Sequence, residues 1–414
     1  MDTKPYEENN QSDNIRRELV DGFVRRMSGL NINFFKSNIC MKDSYLSKFI
    51  IYAIAVVFAG GCSQPKEPAT LKDALKGKFH IGTALNTNHI WGRDTADVRI
   101  IQQQFDAIVP ENCMKSMYLQ PREGEFNFTD ADKYVEFGEQ NGMWITGHCL
   151  IWHSQLPRWF CVDENGENVT PEVLKARMKS HISTVVGRYK GRIHGWDVVN
   201  EAILEDGSYR KSKFYEILGE EFIPLAFQYA QEADPNVELY YNDYNEWYPG
   251  RRETVIRLIK TLKDRGIRID AIGMQGHVGM DSPSIAEYEE TILAYTHAGV
   301  KVMVTEFDLS ILPSPGRGIG ADIATNIEYR QQFNPYTEGV PDDAMQAWTN
   351  RMSDFFNLFL KYQGKVSRVT MWGVTDGGSW KNDFPVRGRT DYPLLFDRNH
   401  QAKPVVAEII KLAK

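Results

Sequence analysis

No CxxC pair and no metal-ligand spacing occurs among the five cysteines, Cys40, Cys62, Cys113, Cys149 and Cys161. That argues against a zinc-stapled or dithiol redox fold, and the odd number excludes complete pairing. Cys113 and Cys149 lie in apolar stretches and read as free buried thiols, with a Cys149–Cys161 bridge as the alternative in an oxidising compartment. HExxH is absent, as is any comparable His/Glu cluster, so no metal and no cofactor is expected. There is no basic block. The net charge is −7 with the signs mixed throughout, which argues against a nucleic-acid partner. No apolar run reaches the ~20 residues that span a bilayer. No low-complexity stretch interrupts the chain. What remains is ordinary globular composition, 42% apolar and 25% charged, in a chain long enough to bury a large core without disulfides.

The longest uncharged stretch lies early. Phe49–Gly61 (FIIYAIAVVFAGG) follows Lys48 and ends in small residues directly before Cys62. Its length suits the apolar part of a secretory signal. The sequence Ala59-Gly60-Gly61-Cys62 resembles the lipobox of bacterial lipoproteins, which implies lipidation of Cys62 and an exported protein, periplasmic or at the cell surface. The membrane then enters only through that anchor. Residues 1–40 are polar and carry two Arg pairs. Met41-Lys42 would make a normal signal start, so residues 1–40 read as a non-native or disordered extension, 41–62 as the signal segment and 63–70 (from SQPKEPA) as a tether.

From Leu71 onward, short apolar runs rich in β-branched residues recur, each followed by a polar loop and usually by helical periodicity. The runs are Phe79–Ala84, Ala107–Pro110, Trp144–Gly147, Ile193–Val199, Val237–Asn242, Ala271–Gln275, Val300–Thr305 and Arg368–Gly373. Continuous apolar strands alternating with helices indicate parallel strands buried on both faces. Eight such units predict an α/β fold, a closed (β/α)8 TIM barrel over residues 71–414. Thr170-Pro171-Glu172 opens a helix through Val186, with a capping residue and Pro in the first turn. Ala344–Tyr362 reads as a long outer helix, and Ser310–Asp343 as an extended loop after the seventh strand.

In such a barrel the strand C-termini form the active face, and here they are crowded with polar residues. Strand two runs into Glu111, Asn112 and Lys115; strand three into His148, Trp152, His153 and Gln155. Strand four ends at Asn200 and Glu201, strand five at Asn242–Asn245, strand six at Gln275 and His277. Strand seven ends at Glu306 and Asp308, and strand eight runs into Trp372 and Trp380. Glu201 and Glu306 end strands on roughly opposite sides of the mouth. A pair of carboxyls, one protonated and one ionised, is what glycoside hydrolysis requires; ~5–5.5 Å separates them in retaining enzymes and ~6.5–9.5 Å in inverting ones. Trp152, Trp372 and Trp380 offer planes on which sugar rings pack. Asp197 and Asp308 are taken as structural, pointing away from the catalytic pair, and Trp247 as loop packing. His153 and Trp196 are as well explained by the core as by substrate.

Trp196–Glu201 (WDVVNE) and Thr305–Asp308 (TEFD) resemble the two signature segments of glycoside hydrolase family 10 xylanases. Glu111–Lys115 (ENCMK), Gly147–Gln155 (GHCLIWHSQ), Tyr241–Asn245 (YNDYN), Gly273–His277 (GMQGH), Thr370–Trp380 (TMWGVTDGGSW) and Pro393–Asp397 (PLLFD) match in the same order. The resemblance covers roughly Leu71 to Lys414 and implies retaining cleavage inside β-1,4-xylan chains, with Glu201 as acid/base and Glu306 as nucleophile. It implies that Asn200 holds the 2-hydroxyl of the sugar being cleaved and that His277 orients the nucleophile. His148 and Lys115 would contact that sugar, and Glu111 and Asn112 the next one along. Gln155 and Trp380 would crowd the space of a glucose hydroxymethyl, while Trp152 and Trp372 would wall the cleft. Gln275 is counted with these binding residues. Phe307 stands where family members often carry Leu or Ile, and the Ser310–Asp343 insertion bears on the leaving-group side of the cleft. A monomer suffices for this chemistry. The competing classes are a β-1,4-glucanase on the same barrel, against which Gln155 and Trp380 speak, a non-catalytic glycan-binding protein, against which the intact carboxyl pair speaks, and a structural lipoprotein.

Overall fold

Eight parallel strands close on themselves. The structure, a computed structural model, describes residues 69–316 and 327–414. The extension 1–40, the signal segment with Cys62 and most of the tether therefore lie outside the described residues, as does part of the Ser310–Asp343 loop. The barrel strands are β1 (His80–Leu85), β2 (Ala107–Pro110), β3 (Trp144–Trp152), β4 (Gly195–Asn200), β5 (Glu238–Asp243), β6 (Ala271–Met274), β8 (Lys301–Ser310) and β9 (Val366–Met371). Each pairs in parallel with its neighbours, and β9 returns to β1 through His80↔Arg368 and Gly82↔Thr370. A ninth short strand, β7 (His277–Gly279), continues the course of β6 and pairs only with the far end of β8, at His277↔Asp308.

The strands are buried along nearly their whole length, as parallel strands sheathed by helices must be. Their outward side chains pack on the helical ring. Phe307 meets Phe355, Phe356 and Phe359 with ring centroids 5.4–6.2 Å apart, on a helix spanning Asp342–Lys361. Gly147 is required by close approach: a Cβ there would lie 2.1 Å from the Trp196 ring, fully buried on the adjacent strand. The helix over Pro171–Arg188 begins as expected, Thr170 accepting from the Val173 N–H with Pro at the first position. No helix among the described residues is long and apolar enough to cross a membrane.

Register breaks matter more than strand limits. β3–β4 slips between His148 and Ile151, β4–β5 between Asp197 and Val199, and β8–β9 between Val304 and Phe307. Such bulges re-aim side chains at barrel rims, and these fall at the strand ends that carry the polar residues. β3 and β8 also run further than the sequence suggested, to Trp152 and Ser310. Cys113, Cys149 and Cys161 are all free thiols, so the alternative Cys149–Cys161 bridge is not formed; Cys113 is half-buried rather than buried.

Candidate active site

The strand-end residues converge on one cavity of about 150 Å³ at the C-terminal mouth. All thirteen candidates line it: Glu201 and Glu306 with Glu111, Asn112, Lys115, His148, Trp152, Gln155, Asn200, Gln275, His277, Trp372 and Trp380. A larger depression of about 410 Å³ lies at the opposite end, around Trp144 and Arg368. Its acids are already paired, Asp106 with His80 beside it and Glu238 with the Tyr240 hydroxyl. Chemistry rather than size distinguishes the two.

One wall is a network between β2 and β3. The Lys115 ammonium donates to Asn112 Oδ1 at 3.1 Å and Gln155 Oε1 at 2.8 Å, and Gln155 Nε2 donates to Asn112 Oδ1 at 3.1 Å. Lys115 also lies 4.8 Å from the Trp152 ring centre. Burial lowers its pKa, against the pull of the surrounding negative charge. On β3, His148 Nδ1 lies 2.8 Å from Asp197 Oδ2. A carboxylate only accepts, so Nδ1 carries the proton and Nε2 is left for the cavity.

Glu201 lies just beyond β4 with φ +57°, a left-handed conformation that costs a side-chain-bearing residue on the order of 1–3 kcal/mol. Its Oε2 accepts from Trp152 Nε1 at 2.8 Å and its Oε1 from Gln275 Nε2 at 3.0 Å. Glu306 accepts from Asn242 Nδ2 at 2.8 Å through Oε1, and its Oε2 lies 3.2 Å from His277 Nε2. Asn242 Nδ2 also donates to Asn200 Oδ1 at 3.0 Å, and Gln275 Nε2 approaches the same oxygen at 3.4 Å. Carboxyl to carboxyl, the chain runs Glu201–Gln275–Asn200–Asn242–Glu306.

The two carboxyls are both buried yet titrate apart. Burial pushes Glu201 up to about 7, with repulsion from Asp243 and Glu306 adding to it and the Gln275 and Trp152 hydrogen bonds opposing it. Burial acts the same way on Glu306, but the His277 hydrogen bond and the neighbouring His148, His277 and Lys115 side chains outweigh it and leave Glu306 below the usual range. His277 is itself placed between two carboxylates, with Nδ1 2.9 Å from Asp308 Oδ2. Burial disfavours its charge, and Asp308 and Glu306 more than restore it. Two carboxyls separated in this way can serve as a proton donor and an ionised carboxylate in one cavity.

Asp197 and Asp308 correct the sequence reading. Both are structural supports, as expected, and neither lines the cavity, but they face its histidines rather than the opposite side of their strands. Asp197 holds His148; Asp308 holds His277, accepts from Trp380 Nε1 at 2.8 Å and faces Lys381 at 3.6 Å. The reason is the strand period of two: Asp308, two residues from Glu306, shares its face. Asn242 was visible as a polar strand end yet received no role, although it touches Asn200, Glu306 and Thr305. Trp247 packs on Tyr248 and Tyr288, as loop packing requires. Trp196 lies in the core, and neither it nor His153 lines the cavity.

The family model for glycosyl hydrolase family 10 matches residues 70–412. The chain belongs to glycosyl hydrolase family 10. Among its relatives, endo-1,4-beta-xylanase A of Xylanibacter ruminicola is 50% identical over 343 residues, covering 83% of this chain and 93% of the relative. A beta-1,4-xylanase of Dictyoglomus thermophilum is 38% identical over 377 residues, covering 90% of this chain and 100% of the relative. Of solved structures, a family 10 endoxylanase from a sugarcane soil metagenome superposes with a TM-score of 0.80 at 44% identity, covering 83% of this chain and 99% of that one. The closed eight-strand barrel is the fold of these family 10 proteins, and the chain is a glycoside hydrolase.

Proposed function

We propose that this family 10 hydrolase is a retaining endo-β-1,4-xylanase. The observation that carries the reading is the split between its two buried carboxyls in one tryptophan-lined cavity, Glu201 pushed up to about 7 and Glu306 held low. The names of the relatives supply the substrate class. Glu306 attacks the anomeric carbon of a xylose unit as the glycosidic bond breaks. The electron pair of that bond goes to the leaving oxygen, which takes the proton of Glu201. The product is a glycosyl ester on Glu306, and the negative charge passes from Glu306 to Glu201. Glu201, now ionised, faces less repulsion and takes a proton from an incoming water. That water attacks the ester carbon, and Glu306 leaves as carboxylate. Asn200 and the His148–Lys115 side bind the reacting sugar, and Glu111 and Asn112 the next. Gln155 and Trp380 limit the space beside C5, which favours xylose over glucose.

A proton NMR time course on xylan tests substrate, endo action and stereochemistry together. Early β-anomers of short β-1,4-xylose chains are expected. Early α-anomers would remove Glu306 from the nucleophile role, and products from β-1,4-glucan at equal rate would remove the xylose preference.

We also propose export as a lipoprotein anchored through Cys62, on the strength of the apolar run and the small residues before that cysteine. Mass spectrometry of the native protein should find an acylated N-terminal Cys62; an unmodified peptide crossing Gly61–Cys62 would rule the anchor out.

A further inference from the structure

The left-handed backbone of Glu201 persists only because its surroundings enforce it, and most of the enforcing groups come from β5. The Glu201 N–H donates to the Asn242 carbonyl at 2.9 Å. The next N–H, of Ala202, donates to the Tyr241 hydroxyl at 3.1 Å, and that of Ile203 reaches Asp243 Oδ2 at 3.4 Å. Tyr241 in turn donates its hydroxyl proton to the same Asp243 oxygen at 2.5 Å. Asp243 Oδ1 accepts from the Tyr244 N–H at 3.0 Å and lies 3.7 Å from Arg251 Nε, which also donates to the Ile203 carbonyl. Arg210 closes the turn from the other side, its Nε donating to the Glu201 carbonyl at 3.0 Å.

The strand period divides this work. Asn242 points toward Asn200 and holds Glu306, whereas Tyr241 and Asp243, one residue to either side, face the other way and hold the turn after β4. Both are fully buried and neither lines the cavity. The Tyr241 hydroxyl accepts from the turn and donates to the carboxylate, so its orientation is fixed at both ends. A phenylalanine fills the same space but leaves the Ala202 N–H without its acceptor and Asp243 without its shortest donor.

We propose that Tyr241 and Asp243 are positioning residues for the general acid/base, holding residues 201–203 so that the Glu201 carboxyl meets Trp152, Gln275 and the leaving oxygen. The proposal rests on the reading of Glu201 as acid/base. Asp243 also sets an acidic group behind Glu201, its own carboxyl pushed up by burial against the pull of Arg251. The other titratable or charged groups facing Glu201 are Glu306 on β8, Lys115 after β2, Cys149 on β3, Arg210 in the loop after β4 and Tyr244 after β5.

The experiment compares kcat/KM on phenyl and dinitrophenyl β-xylobiosides, since only the poor phenyl leaving group needs a proton. Misplacing a catalytic group by ~1 Å costs up to ~10²-fold, so Tyr241→Phe should lose ~10- to 100-fold on the phenyl substrate and stay close to wild type on the dinitrophenyl one. Asp243→Asn keeps an acceptor and removes the charge, so the alkaline limb of its kcat/KM profile should move to lower pH. Equal losses on both substrates, or no loss on either, would overturn the proposal, as would an unmoved alkaline limb. Tyr241→Phe keeps the ring and its packing, so the leaving-group comparison stands where Asp243→Asn fails to fold. Glu201→Ala is the reference. If it shows no leaving-group dependence, the acid/base reading fails; if it does and Tyr241→Phe does not, the positioning role alone fails.

Discussion

Replacing Glu201 with glutamine should make the enzyme more stable in alkali and less stable in acid. Glu201 is raised from an ordinary 4.5 to about 7 by burial and by its negative neighbours. A carboxyl whose pKa is raised by folding contributes stability that is full below the unfolded value and is lost as pH climbs through the folded one. At 1.36 kcal/mol per pH unit, the wild type therefore forfeits about 3 kcal/mol between pH 4.5 and a little above 7. Glutamine is never ionised and forfeits none of it. It has a cost of its own: Glu201 accepts through both oxygens, from Trp152 and from Gln275, and glutamine can accept through only one, a loss of about 1 kcal/mol. The variant should thus be less stable by about 1 kcal/mol at pH 4 and more stable by about 2 kcal/mol at pH 8. Large domains shift by ~1–2 °C per kcal/mol, so thermal unfolding followed by intrinsic fluorescence across that range should show the difference changing sign. A difference that stays constant with pH would refute the assignment of Glu201 as the high-pKa carboxyl.

Further outcomes follow from the same geometry. Glu306→Ala should abolish turnover, while Glu201→Ala should spare the first step on substrates with activated leaving groups; equal loss on both kinds, measured as kcat/KM, would contradict the roles. Asp308→Asn removes the charge that keeps His277 protonated, so the pKa of Glu306 should rise and the acidic limb of kcat/KM should move to higher pH; an unmoved limb would detach His277 from Glu306. Phe307→Ala should cost about 3–5 kcal/mol in urea unfolding, since it empties a site among three buried rings, with little change in KM.

The barrel was legible because its signals are local. Each buried parallel strand is a continuous apolar run, and each mouth residue sits where such a run stops. The pairing β1–β9 needed nothing further once eight units were counted. Strand β7 was not legible, because His277–Gly279 is three residues with no apolar pattern of its own. The residues that line the cavity were found since each is a polar or aromatic side chain at a strand end. Their supports were missed for the converse reason. Tyr241, Asp243 and Arg251 do not line the cleft, and nothing in the order of residues says that a hydroxyl on one strand will catch an N–H beyond the end of another. The mistake over Asp308 was different in kind, since alternation alone places residues 306 and 308 on one face.

The bridge between the two carboxyls is made only of amide side chains, those of Gln275, Asn200 and Asn242. Amides hand on hydrogen bonds but do not give up protons near neutral pH. The bridge is thus an insulator: each carboxyl senses the other's charge across it, yet no proton can travel along it. In the proposed mechanism, the proton that leaves Glu201 with the departing sugar has to return with the water that frees the second one, so that catalytic turnover and proton turnover would share a single gate.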